Sequence, residues 1–121
     1  MAQKKRLQVL PSSWRGKKRY IAFRLLCDSK LPHAAVDSAL WETFLGLFGH
    51  VGVSEQRLWL VVWSAEHNAG IVRCALKELD RVKAGFLFLQ HVGEHNVVPE
   101  LVTVSGSLKK AKQKLGVSRA R

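Results

Sequence analysis

The stretch RLWLVVWSAEHNAGIVRCAL, residues 57–76, is apolar on both sides of a short polar break. In residues 57–64, Trp59, Val61 and Trp63 alternate with Leu58, Leu60 and Val62, which predicts a strand apolar on both faces. Residues 66–70 (EHNAG) read as a turn and residues 71–76 as the returning strand, so the whole is a β-hairpin. A strand backed by helices on one side is normally polar on the other. This one is not, so its second face needs a cover, either the chain's own C-terminal helix or another protein. Trp59, Val61 and Trp63 are expected to leave one side together and to form the protein-docking set.

Before the hairpin, residues 20–27 (YIAFRLLC) alternate. Ile21, Phe23, Leu25 and Cys27 take one face, and Tyr20, Ala22, Arg24 and Leu26 the other. Asp28 to Lys30 turn the chain, and Pro32 suits a helix start. Val36, Leu40, Phe44, Leu47 and Phe48 then recur at steps of three and four, with Trp41 and Leu45 widening the stripe and Gly49 as the expected stop. After the hairpin, Leu79, Val82, Phe86 and Leu89 predict a helix from Glu78 to about Gln90. Residues 101–105 read as a last strand, with Pro99 before it at an edge position. Ser107 caps a short basic helix that Gly116 closes.

The order strand, helix, strand, strand, helix, strand, basic helix predicts an α+β, ferredoxin-like (RRM-like) sandwich. It has one antiparallel sheet with two helices on one face and a basic C-terminal helix added. The expected division is a basic arm over 1–18, a ferredoxin-like domain over 19–106, and a basic helix and tail over 107–121. Unrelated enzymes and RNA-binding modules share this fold, so the fold alone selects no function.

With 121 residues, 47% of them hydrophobic, the chain suffices for one folded domain. It carries 20 Lys and Arg against 9 Asp and Glu, a formal charge of +11. The bases are not spread evenly. Lys4, Lys5, Arg6, Arg15, Lys17, Lys18, Arg19 and Arg24 at the start, and Lys109, Lys110, Lys112, Lys114, Arg119 and Arg121 at the end, are accompanied by no acid. All the acids fall in residues 25–106, which are slightly acidic as a group. Solvated tails would give such ends, but two acid-free segments bracketing an acidic middle point to a polyanion, nucleic acid before membrane. No apolar run is long enough to span a bilayer, and no apolar core follows the basic start, so export is not expected. Cys27 and Cys74 form no metal or scaffold spacing and fit a reduced cytoplasmic chain.

Catalytic constellations are weak. His91-Val92-Gly93-Glu94-His95 matches H-x-x-E-H, a zinc pattern only where a firm helix carries both imidazoles. Gly93, Asn96 and Pro99 place it at a helix end, so a solvated end is the better reading and no metal is expected. His33, His50 and His67 are scattered, and no G-x-S-x-G elbow occurs. Asp37 and Glu42 diverge around an ideal helix and make no acid–base pair. Cys27 and Cys74 both have core parity on strands expected to be neighbours, and read as two buried free thiols. Base stacking on the sheet is disfavoured, because residues 71–75 hold no aromatic and Tyr20 is alone on the first strand. Arg24 and Arg73 share that face and remain candidates for backbone contact.

Three stretches carry a resemblance: residues 10–23 (LPSSWRGKKRYIAF), residues 70–74 (GIVRC) and residues 104–110 (VSGSLKK). Together they resemble the archaeal ribonuclease P protein component 2 family, over residues 7 to 115. The departure is Ser12-Ser13-Trp14, where the family pattern has a second proline and a Thr-Leu. The resemblance implies a non-catalytic protein subunit of ribonuclease P, the endoribonuclease that removes the 5′ leader of precursor tRNA. It implies catalysis by the RNA subunit with magnesium held there, no cofactor on the protein, and pairing with ribonuclease P protein component 3 among the other protein subunits. Arg15, Lys17, Lys18, Arg19, Arg24, Arg73, Lys109, Lys110, Lys112 and Lys114 are the expected RNA contacts, through phosphates. Another RNA-binding ferredoxin-like protein, ribosomal or RNA-processing, is the alternative. An enzyme on the same fold is the third.

Overall fold

The structure, a computed structural model, describes residues 17–116. Strand β1 (Lys18–Leu26) leads to helix α1 (His33–Gln56) and the hairpin β2 (Trp59–Ser64) and β3 (Ala69–Ala75). A 3-10 turn (Leu76–Glu78) opens into α2 (Leu79–Phe86), followed by a small hairpin, β4 (His91–Val92) and β5 (His95–Asn96). Strand β6 (Val98–Ser105) and helix α3 (Leu108–Leu115) close the chain. The main sheet runs β2-β3-β1-β6, with every neighbouring pair antiparallel. This is the expected ferredoxin-like arrangement.

The β1 alternation sorts its residues as read. Ile21, Phe23 and Leu25 enter the core with Val36, Leu40 and Phe44 of α1 and Val82 and Phe86 of α2. Aromatic rings thread that core from sheet to helices. Trp63 stacks on Phe23 at 5.8 Å, Phe23 meets Phe86 at 4.9 Å, and Phe44 meets Phe86 edge-on at 5.7 Å. Such pairs contribute beyond their area by about 0.5–1.5 kcal/mol each. On the other face of the sheet, Ala22, Ala69 and Ile71 pack under Ala111 and Leu115 of α3. The chain's own C-terminal helix is thus the cover for part of the second face.

Three local expectations are corrected and one is extended. Gly49 stops a first run of helix as expected, but a second run follows directly, so α1 extends beyond it. The glycine breaks the helix with φ 73° and ψ 177°, a conformation glycine reaches cheaply, and helical turns resume to Gln56. The second helix is shorter than its apolar pattern, ending at Phe86, and Leu89 reaches the core from the loop beyond it. His91 to His95 are not helical. They form the β4–β5 hairpin, in which Val92 pairs with His95, so the two imidazoles lie on opposite faces and not one helical turn apart. Cys74 is buried opposite Arg19, whereas Cys27 lies past the far end of β1, eight residues along, roughly 26 Å by the strand rise. The two free thiols are not neighbours.

The largest correction concerns the two tryptophans. In the β2–β3 pairing Leu60 opposes Val72 and Val62 opposes Ile71, which leaves Val61 as an extra residue, a β-bulge. The bulge reverses parity along β2. Leu58 and Leu60 face the helical core, Val62 faces α3, and Trp63 turns back into the core. Trp59, Val61 and Trp63 therefore do not share a face. Trp63 crosses Gly70, where an added Cβ would stand 2.7 Å from the indole, and its Nε1 donates to the Leu31 carbonyl at 2.7 Å. Trp59 stays outside, 58% exposed.

Candidate nucleic-acid interface

The antiparallel register gathers the two cationic segments. Tyr20, near the start of β1, pairs with Ser105, near the end of β6. Lys17 and Lys18 thus lead into the sheet where the basic helix leaves it. Ser107 builds the joint: its Oγ accepts from the Lys110 amide at 3.3 Å, and its own amide donates to Ser105 Oγ at 3.1 Å. From there α3 crosses the sheet with Leu108, Ala111 and Leu115 turned down. Lys109, Lys110 and Lys114 are exposed and Lys112 is half-buried. Gly116 ends the helix in the left-handed region at φ 78° and donates to the Lys112 carbonyl at 2.9 Å. Cations near that C-terminus also offset the partial negative charge of its carbonyls.

The remaining expected RNA contacts divide into three groups. Lys17 and Lys18 are exposed at the start of β1, where the Lys17 carbonyl accepts from the Leu76 amide at 2.7 Å. Arg19 is half-buried on the helical side, and its Nη1 donates to the Lys18 carbonyl at 2.8 Å. Arg24 and Arg73 lie on the α3 side, but Arg24 is already engaged: its Nη2 donates to the Leu115 carbonyl at 3.2 Å. Arg73 stands between Tyr20 and Trp59, its partners on β1 and β2. Arg15 lies outside the described residues.

The reading of residues missed Trp59 as a companion of Arg73. Its face depends on the Val61 bulge, which alternation alone does not reveal. It also missed Asn68. This residue, with φ 48°, accepts from the Leu31 amide at 2.9 Å and donates to the Ser29 carbonyl at 2.8 Å. It thereby ties the β1–α1 loop to the hairpin turn. The signal was available, since Asn in a turn tolerates the left-handed region and bonds nearby backbone.

Among the described residues no group of three His, Cys, Asp or Glu side chains is placed to hold a metal. A groove of about 440 Å³ between α1 and the β4–β5 hairpin contains Glu42 and His91, both exposed to water. Burial, and secondarily the charge of Glu78, push the Cys74 thiol up to about 11. It is protonated at neutral pH and a poor nucleophile.

The comparisons with known proteins follow this geometry. The model of the Rpp14/Pop5 family matches residues 19–116. Ribonuclease P protein component 2 of Archaeoglobus fulgidus is 39% identical over 108 residues, covering 89% of this chain and 96% of its own. The protein of the same name from Methanocaldococcus jannaschii is 36% identical over 114 residues, covering 93% of this chain and 84% of its own. A chain in the cryo-EM structure of yeast Ribonuclease MRP superposes with a TM-score of 0.62 at 9% identity, covering 86% of this chain and 88% of that one, a likeness of fold. The family match begins one residue after Lys18, where the sheet begins, and ends with the glycine that caps α3. From first strand to last helix, the chain belongs to the Rpp14/Pop5 family.

Proposed function

We propose that this chain is a non-catalytic protein subunit of ribonuclease P, binding the enzyme's RNA and promoting removal of the 5′ leader from precursor tRNA. The observation that carries the reading is the match of nearly the whole chain to relatives named Ribonuclease P protein component 2. Cationic segments meeting at one end of the sheet support it. Lys17, Lys18 and Arg19 on one side, and Lys109, Lys110, Lys112 and Lys114 on the other, neutralise phosphates of the folded RNA. Each phosphate neutralised releases condensed counterions, so binding weakens as salt rises. Holding phosphates together lets the folded RNA persist at lower magnesium, and the magnesium used in cleavage belongs to the RNA. Component 3 and the other ribonuclease P proteins are the proposed protein partners, precursor tRNA the substrate of the assembly, and the cytoplasm its site. No helix among the described residues is long and apolar enough to cross a membrane.

Reconstitution tests this. Ribonuclease P RNA and the remaining protein subunits are assayed on precursor tRNA at limiting magnesium, with and without this chain. Leader removal should rise when the chain is added, and the chain without RNA should cleave nothing. For about six neutralised phosphates, log K against log salt should slope near −4 to −5. A flat salt dependence, or cleavage by the protein alone, would overturn the proposal.

A further inference from the structure

Helix α3 covers the β1–β3 centre of its sheet face around Ala22 and Ile71, and Tyr20 packs against the edge of that cluster. There the register aligns Trp59 of β2, Arg73 of β3, Tyr20 of β1 and Ser105 of β6 across all four strands. Directly opposed residues on neighbouring strands share a face, with Cβ atoms about 4.5–5.5 Å apart. Trp59 is mostly exposed, and Arg73 and Tyr20 are half-buried. Arg73 makes no hydrogen bond or ion pair with any described residue. Lys18, two residues before Tyr20 on the same face, is exposed, and Lys109 and Lys110 open the helix that starts just past Ser105. Of the strand residues on this face only Glu100 is acidic, and it stands opposite Arg24, four residues further along β1.

We infer that the Trp59–Arg73–Tyr20 row is a stacking site for an unpaired RNA base, with the surrounding cations on the flanking phosphates. The inference rests on the RNA-binding reading above and names the part of the RNA that this face takes. An indole and a phenol offer π faces that suit any base, and an arginine between them both stacks and forks to phosphate. An exposed tryptophan is also a common anchor for a protein partner. Arginine and aromatic residues serve either kind of partner, so the bordering charges decide: Lys18, Lys109 and Lys110 flank the row with no acid beside them on the strands, and lysine is depleted in protein interfaces but matched to phosphate.

The test titrates the full chain into ribonuclease P RNA at several salt concentrations. Trp59→Ala should weaken binding roughly 5- to 100-fold at every salt with an unchanged slope, because a stacking contact releases no counterion. Trp59→Phe should keep most of the affinity, and Arg73→Gln should reduce the slope by about one. Independently of any substitution, RNA carrying 4-thiouridine should crosslink, on irradiation, to peptides containing Trp59 or Tyr20. Wild-type affinity in Trp59→Ala, with crosslinks confined to the lysine segments, would overturn the base site while a steep slope left the RNA reading standing. That holds equally if the variant loses a protein partner instead. A flat slope for the unaltered chain would remove both.

Discussion

Arg24, in the middle of the sheet, donates to the carbonyl of Leu115, the last residue of the helix lying across it. A base expected to meet RNA is therefore spent on holding the basic helix down. Arg24→Met keeps much of the stem and removes the charged donor. It should destabilise the fold by about 1–2 kcal/mol, at the lower end for a charged hydrogen bond because the site is partly exposed. Amide exchange should rise selectively over residues 108–115. Unchanged protection there would show that apolar packing alone seats the helix.

The two tryptophans of β2 should behave oppositely. Trp63→Phe keeps a ring against Phe23 but loses the bond to the Leu31 carbonyl, an expected cost of about 1 kcal/mol. Gly70→Ala pushes a methyl against the same indole and the Val62 carbonyl, with an expected cost of about 1–3 kcal/mol. Trp59→Phe should change stability by less than about 0.5 kcal/mol. Denaturant unfolding of the three variants gives the ranking, and an equal cost at Trp59 and Trp63 would contradict the parity set by the bulge.

Gln56 ends α1 fully buried, and neither Oε1 nor Nε2 has a hydrogen-bond partner among the described residues. An unsatisfied buried amide costs about 1–3 kcal/mol. Gln56→Met, similar in volume and flexible enough to fill the space, should raise stability by about 1 kcal/mol or more in thermal or denaturant unfolding. A loss of stability would mean that the amide has a partner, such as a buried water.

Alkaline stability should depend on Cys74. Its thiol ionises near 9.0 when exposed and near 11 in the fold, chiefly because burial disfavours the thiolate. Below pH 9 both states hold the proton and the shift has no effect. Between about pH 9 and 11 the unfolded chain releases it first, which favours unfolding by up to about 2–3 kcal/mol. Cys74→Val should flatten that part of the stability–pH curve. Alkylation of the native chain at pH 8 should label Cys27 well before Cys74, and equal labelling would contradict the burial.

Much of the fold was legible because burial writes itself into period. Ile21, Phe23 and Leu25 at steps of two, and Val36, Leu40 and Phe44 at steps of four, name their faces without a structure. Ser107 and Gly116 marked the ends of α3 through their own backbone chemistry. The failures occurred where one residue changes register or direction. Val61 is a valine like its neighbour, yet its bulge moves Trp63 from one face to the other. Gly49 stops one run of helix as its residue type suggests, but no apolar spacing announced the second run over residues 50–56. The candidate site shared this fate. Its lysines were visible as composition, whereas the row joining Trp59 to Arg73 and Tyr20 exists only through the register of three strands.

The outer strands of the sheet are both irregular. Val61 interrupts β2, and Val102 interrupts β6 in the same way, since Leu101 and Thr103 oppose the adjacent Phe23 and Ala22. Pro99, also in β6, has no amide hydrogen to offer. A strand from another molecule needs an even row of donors and acceptors to zip onto, and neither rim provides one. Crowded against copies of itself, this protein is shielded from edge-to-edge polymerisation by its own backbone.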